Sequence, residues 1–121
     1  MANLKESLTK LSEVDGFVGA CVVDSNSGMM LGSEGGGSSV NLEVAAAGNT
    51  EVVRAKRKTM ASLGLKDTIE DILISLVKQY HLIRPLSQKE GLFVYLVLDR
   101  SRSNLALARH TLSEIEKSLV V

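Results

Sequence analysis

The segment Gly91 to Asp99, GLFVYLVLD, leaves few folds open to this chain. In an extended conformation Leu92, Val94, Leu96 and Leu98 point to one side, and Phe93, Tyr95 and Val97 to the other. Side chains alternate with period two along a strand, so this one has no face to offer to water and must be covered on both sides. The sheet that holds it is an inner layer, and the rest of the chain has to supply a layer above and a layer below.

The 121 residues suffice for one such domain, expected over residues 1–121, because folded domains commonly run to roughly 100–150 residues. Aromatic residues make up 3% of the chain and there is no Trp, so the core is built from Leu, Val, Ile and Ala. That disfavours sites that stack sugars or bases. The 14 basic and 14 acidic residues cancel, which removes the long-range positive field used for nucleic-acid or anionic-membrane binding. No nucleic-acid partner and no direct membrane insertion are expected, since no stretch approaches the roughly 18 apolar residues of a span. The stretch Met1 to Val14 mixes Lys5, Glu6, Lys10 and Glu13 among its leucines, unlike a secretory signal. With a single Cys there is no internal disulfide, and a cytoplasmic location is expected.

Leu4, Leu8, Leu11 and Val14 recur at helical spacing behind a possible Asn3 cap, predicting a first amphipathic helix. Phe17 to Asp24 reads as a strand, the turn residues Ser25 to Gly28 follow, and Met29 to Leu31 pairs back as a hairpin. Gly32 to Ser39 reads as a flexible loop whose serines cap the next helix. Val40 to Leu63 contains no Pro and is stopped by Gly64, predicting a long central helix. Thr68 to Leu76, Gln79 to Leu86 and Gly91 to Asp99 read as an antiparallel meander. Leu105, Ala108, Leu112, Ile115 and Leu119 share one face of a last helix, with Ser103 a plausible cap. The order is αββαβββα, an α+β fold with helices on both sides of one sheet.

The central helix has more apolar arc than one contact needs. With successive residues about 100° apart, Val44, Gly48, Val52 and Ala55 form one half and are assigned to the sheet. Leu42, Ala46, Val53 and Met60 form the other, with Asn49 and Lys56 between them, and are left for a second body.

Chemical motifs are thin. Gly35-Gly36-Gly37 stands between strand and helix, where phosphate loops occur, but Ser38, Ser39 and Val40 follow in place of the Lys and third Gly such loops require. Cys21 lies mid-strand among Gly19, Ala20, Val22 and Val23, a setting for a buried, inert thiol. His81 and His110 lack neighbours at metal-ligand spacing, and Glu90 and Asp99 bracket a strand without converging on a pocket. No catalytic, cofactor or metal residue is assigned, and the chain is not expected to be an enzyme. Arg54, Lys56, Arg57 and Lys58 form the one basic cluster; they offset the negative end of the helix dipole, and Arg54, Arg57 and Lys58 could rim a protein contact.

GFVGACVVDSNSG (Gly16 to Gly28), YHLIRPL (Tyr80 to Leu86) and GLFVYLVLDRSRSNLALARHTL (Gly91 to Leu112) together resemble the bacterial branch of the roadblock, or dynein light chain, family. The likeness runs from about Leu4 to Leu119 and rests on the joint order of elements. It implies a five-stranded antiparallel sheet with the central helix on one face and the terminal helices on the other. It also implies a homodimer joined through third strands and central helices, here Leu42, Ala46, Asn49, Val53 and Met60 with Ile72, Leu73, Ile74 and Leu76. Mgl-type relatives bind small Ras-like GTPases and can accelerate their hydrolysis by repositioning the GTPase's own residues. Two alternatives stay open: a dimeric scaffold or adaptor without GTPase regulation, and a small-ligand sensor of the profilin-like kind.

Overall fold

The structure, a computed structural model, describes residues 2–89 and 91–121. Its elements are α1 (Leu4–Ser12), β1 (Phe17–Asp24), β2 (Met29–Gly35), α2 (Leu42–Ser62), β3 (Ile72–Ser75), β4 (Gln79–Pro85), β5 (Leu92–Asp99) and α3 (Leu105–Ser118), with a 3₁₀ turn at Arg100–Arg102. The strands form one antiparallel sheet in the order β2-β1-β5-β4-β3. The two-faced strand β5 sits in the middle, as its composition demands. Leu96, Leu98, Val94, Val97, Phe93 and Tyr95 are all buried.

Each helix starts on an asparagine. Asn3 and Glu6 form a capping box, with Glu6 N–H donating to Asn3 Oδ1 at 2.8 Å and Asn3 N–H to Glu6 Oε1 at 3.3 Å. Asn41 accepts from Val44 N–H at 3.2 Å and Asn104 from Leu107 N–H at 3.1 Å. Asn41 and Asn104 take the places expected of the loop serines and of Ser103, because a carboxamide oxygen closer to the helix reaches the free N–H groups of the first turn.

Two cores lie on opposite faces of the sheet. Leu8 and Leu11 of α1 and Ala108, Leu112 and Ile115 of α3 pack on Ala20, Val22, Leu82, Val94, Leu96 and Leu98. Leu42, Ala46 and Val53 of α2 pack on Cys21, Val23, Ile83, Phe93, Tyr95 and Val97. This reverses the expected allocation of the central helix. Leu42, Ala46 and Val53 meet the sheet, with Val53 1% exposed, while Val44 is 68% exposed and Gly48, Val52 and Ala55 also face out. The larger side chains fill the space over the strands, and nothing lies within 4 Å of where a Cβ on Gly48 would stand.

Two segments differ from expectation in extent. Strand β2 continues to Gly35, beyond the expected end at Leu31, and the loop after it is tied down. Gly36 N–H donates to Val18 O at 2.9 Å, and a Cβ on Gly36, whose φ is +85°, would meet Val40 O at 2.9 Å. The glycines serve a tight turn, and no mobile tether is needed. Strand β3 covers Ile72–Ser75 only, shorter than the expected Thr68 to Leu76.

Val53→Glu is expected to unfold the domain, since it places an unpaired carboxylate in the α2 core at a cost of about 3–5 kcal/mol. Val52→Glu, at the preceding, outward position, is expected to leave the fold intact. Urea unfolding of both variants followed by circular dichroism tests this; equal midpoints would contradict the observed orientation of α2.

Candidate protein-binding face

The least covered part of the sheet lies beyond the reach of α2. An α-helix is about 10 Å across, whereas five strands at about 4.8 Å spacing extend for roughly twice that. Helix α2 stands over the β1 and β2 side, and its flank toward β2 is fixed by Arg54, whose Nη2 donates to Ser25 O at 2.7 Å and Asn26 O at 2.9 Å. Its outward face carries Val44, Gly48, Val52 and Ala55, and its flank away from β2 carries Val52 and Lys56. Val52, Lys56 and Met60 line a groove there with Leu65, Ile69 and Ile72.

Beyond the groove is the free edge of β3. Ile72, Leu73 and Ile74 are half-buried, Leu76 is 42% exposed and Val77, at the tip of the β3–β4 turn, is 90% exposed. A bare edge with this composition is an aggregation hazard unless something pairs with it. The opposite edge, β2, is blunted by a register shift opposite Val22 and Val23, by Gly32 and Gly35, and by the charge of Glu34.

Two polar networks brace this face. The Tyr95 hydroxyl pairs with His81 Nδ1 at 3.0 Å, and His81 Nε2 pairs with Gln79 Oε1 at 2.8 Å. Burial lowers the His81 pKa and so favours the neutral ring; in the tautomer protonated at Nε2, that nitrogen donates to Gln79 and Nδ1 accepts from Tyr95. These bonds tie β5 to β4. On the other side of the sheet, Arg109 grips Asp71 with Nε at 3.0 Å and Nη2 at 3.2 Å. Arg84 stands 3.7 Å from the same carboxylate and donates to Glu116 Oε1 at 2.9 Å. Burial pushes the Glu116 pKa up, but hydrogen bonds from Ser87 and Arg84 outweigh it and hold the carboxyl below the usual range. Asp71 immediately precedes β3, so this cluster fixes where the edge strand begins.

The residues expected at an interface therefore divide. Ile72, Leu73, Ile74 and Leu76 lie along the free edge, and Met60 lines the groove beside it. Asn49 is half-buried on α2, and Leu42, Ala46 and Val53 are in the core. Of the rim residues, Arg57 and Lys58 are exposed, whereas Arg54 holds the β1–β2 turn. Val44, Gly48, Val52 and Ala55 take the place of the misassigned stripe.

The chemical groups stay apart. Cys21 is fully buried, and burial pushes its thiol up to about 12. Among the described residues no group of three or more His, Cys, Asp and Glu is placed to hold a metal ion. Asp99 caps the 3₁₀ turn through Ser101 and pairs with Arg102 at 3.1 Å, while Glu90 lies outside the described residues. No helix is long and apolar enough to cross a membrane among the described residues.

No family profile and no curated protein matches this sequence. Solved structures do. A Roadblock/LC7 domain from Streptomyces avermitilis superposes with a TM-score of 0.81 at 13% identity, covering 97% of this chain and 94% of that one. MglB of Myxococcus xanthus gives 0.79 at 14% identity over 94% and 91%, and gliding protein MglB of Thermus thermophilus gives 0.71 at 16% over 93% and 87%. At these identities the likeness is one of architecture, and it covers nearly the whole of each chain: this protein has the Roadblock/LC7 fold, as the resemblance of its sequence implied.

Proposed function

We propose that the protein is a homodimeric, non-enzymatic protein-binding module, acting as one roadblock-like domain over residues 1–121, that binds or regulates a small Ras-like GTPase in the cytoplasm. The observation that carries the dimer is the bare β3 edge beside the outward stripe of α2. A second copy related by a two-fold axis presents the same edge and the same stripe, so one isologous contact covers both. Gly48 and Ala55 allow the helices to approach closely, and Val44 and Val52 supply apolar area. The GTPase reading rests on the likeness to MglB in fold and in the sequence segments that resemble the Mgl-type branch. The scattered positions of Cys21, His81 and His110 support a role in which chemistry belongs to the partner. Arg57 and Lys58, exposed on α2, are suited to the rim of such a contact.

Wild-type protein is expected to have the mass of two chains in gel filtration coupled to light scattering at micromolar concentration. Val52→Glu and Gly48→Arg are expected to weaken the dimer by at least about tenfold, or 1.4 kcal/mol, while retaining the fold. A wild-type mass of one chain would refute the dimer.

Binding to the cognate GTPase is expected to depend on its nucleotide, and calorimetry with the GTPase carrying a GTP analogue or GDP measures it. Absence of binding in both states would turn the reading toward a scaffold or ligand sensor. Retained binding after Arg57→Glu and Lys58→Glu together would remove these two residues from the contact.

A further inference from the structure

We infer that two β3 strands pair antiparallel about a two-fold axis at Ile74, closed at each end by Glu70 of one copy and the partner's Lys78; this assigns a register to the dimer proposed above and rests on it.

The argument begins with the direction of the backbone groups. Leu76 N–H donates to Gln79 O at 2.8 Å, and the pairing continues through Ile74 with His81 and Ile72 with Ile83. Peptide groups alternate along a strand, so Leu76, Ile74 and Ile72 turn their N–H and C=O toward β4. The bond from Leu86 N–H to Leu92 O at 2.9 Å agrees, since it turns the alternate residues of β4 toward β5 and leaves Gln79, His81 and Ile83 for β3. Leu73 and Ser75 therefore point their backbone groups off the free edge, where each needs an acceptor and a donor.

Symmetry then restricts the register. Residues facing one another across an antiparallel pair lie on the same side of the sheet, and a two-fold axis normal to the sheet keeps sides unchanged. Only registers that set a residue opposite itself survive. With Ile74 on the axis, Leu73 faces the partner's Ser75 and Ser75 the partner's Leu73, so every outward group of β3 is satisfied within the strand. With Leu73 on the axis, Ser75 would need the partner's Asp71, which lies outside β3 and is held by its own chain's Arg109 and Arg84. With Ser75 on the axis, Leu73 would need the partner's Val77, in the turn.

Side chains favour the same register. On the α2 side it sets Ile74 on the partner's Ile74 and Ile72 on the partner's Leu76, an unbroken apolar row. Past its ends, the segment with Glu70 runs beside the turn with the partner's Lys78. Both residues are exposed, and among the described residues neither has an ion-pair partner within its own chain. Arg100 cannot take the place of Lys78, because it is committed to Leu76 O at 3.1 Å and lies 5.1 Å over the Tyr80 ring. The register about Leu73 would instead set Glu70 against an apolar Leu76.

The test uses engineered cysteines, with Cys21 too deeply buried to interfere. Facing residues of a non-hydrogen-bonded antiparallel pair have Cα atoms about 4.5 Å apart, within disulfide range. Ile74→Cys is expected to give a covalent dimer under mild oxidation, seen on a non-reducing gel, with Leu73→Cys and Ser75→Cys giving little. Cross-linking at Leu73→Cys or Ser75→Cys in preference to Ile74→Cys would overturn the register. Independently, Glu70→Lys and Lys78→Glu are each expected to raise the dimer dissociation constant roughly threefold to tenfold at low salt, and the double variant to restore it. A double variant no tighter than the singles would overturn the ion pair. A wild-type protein that sediments as single chains would instead remove the underlying dimer, an outcome separate from both.

Discussion

The absence of a solvent face on β5 is the constraint from which the rest of the molecule follows. A strand apolar on both sides forces three layers, and its length sets how much each layer must cover. Helices α1 and α3 together close one face, where Leu112, Ile115 and Leu11 are essentially unexposed. On the other face α2 works alone. It stands over the β1 and β2 side, packs on Phe93, Tyr95 and Val97 of the central strand, and is held toward the β1–β2 turn by Arg54. The β3 end is what remains. The candidate binding face is thus a consequence of fitting one helix to five strands.

Polar interactions sharpen this arrangement. The Asp71–Arg84–Glu116 cluster with Arg109 is largely removed from water, a setting in which ion pairs bring little net stability but penalise any other geometry. Its effect is to stop the chain before Ile72 and deliver β3 as a short, straight edge. The relay from Tyr95 through His81 to Gln79 acts similarly on the opposite face, joining β5 to β4. What the fold leaves unsatisfied is backbone at an edge and apolar surface on a helix, needs that the proposed dimer would meet.

Much of this was legible in the residues. The alternation in Leu92 to Leu98, the Pro-free stretch around Ala45 to Ala47 and the periodic leucines of α1 and α3 report local preferences that tertiary structure kept. The edge residues Ile72 to Ile74 were legible too, because three successive apolar residues beside a turn are conspicuous. The rotation of α2 was not. A periodic pattern gives the angle between two stripes but not which of them faces the sheet. That choice depends on how side-chain volume fits the space above Cys21 and Tyr95, a property of residues far away in sequence. The length of β3 was hidden for the same reason: Asp71 is drawn off by Arg109, 38 positions later.

The reversal of the α2 stripes changes what the interface can be. Had Leu42, Ala46 and Val53 faced a partner, separation of two copies would have exposed large aliphatic groups, and the monomer would have lacked a core on that side. With these residues inside, each chain has both of its cores complete, and the outward stripe of Val44, Gly48, Val52 and Ala55 adds only modest apolar area. Strand pairing then has to carry much of the specificity, since hydrogen bonds between short edges depend on register whereas contacts between small side chains do not. A face built in this way favours a dimer of folded subunits over one that must form as the chain folds.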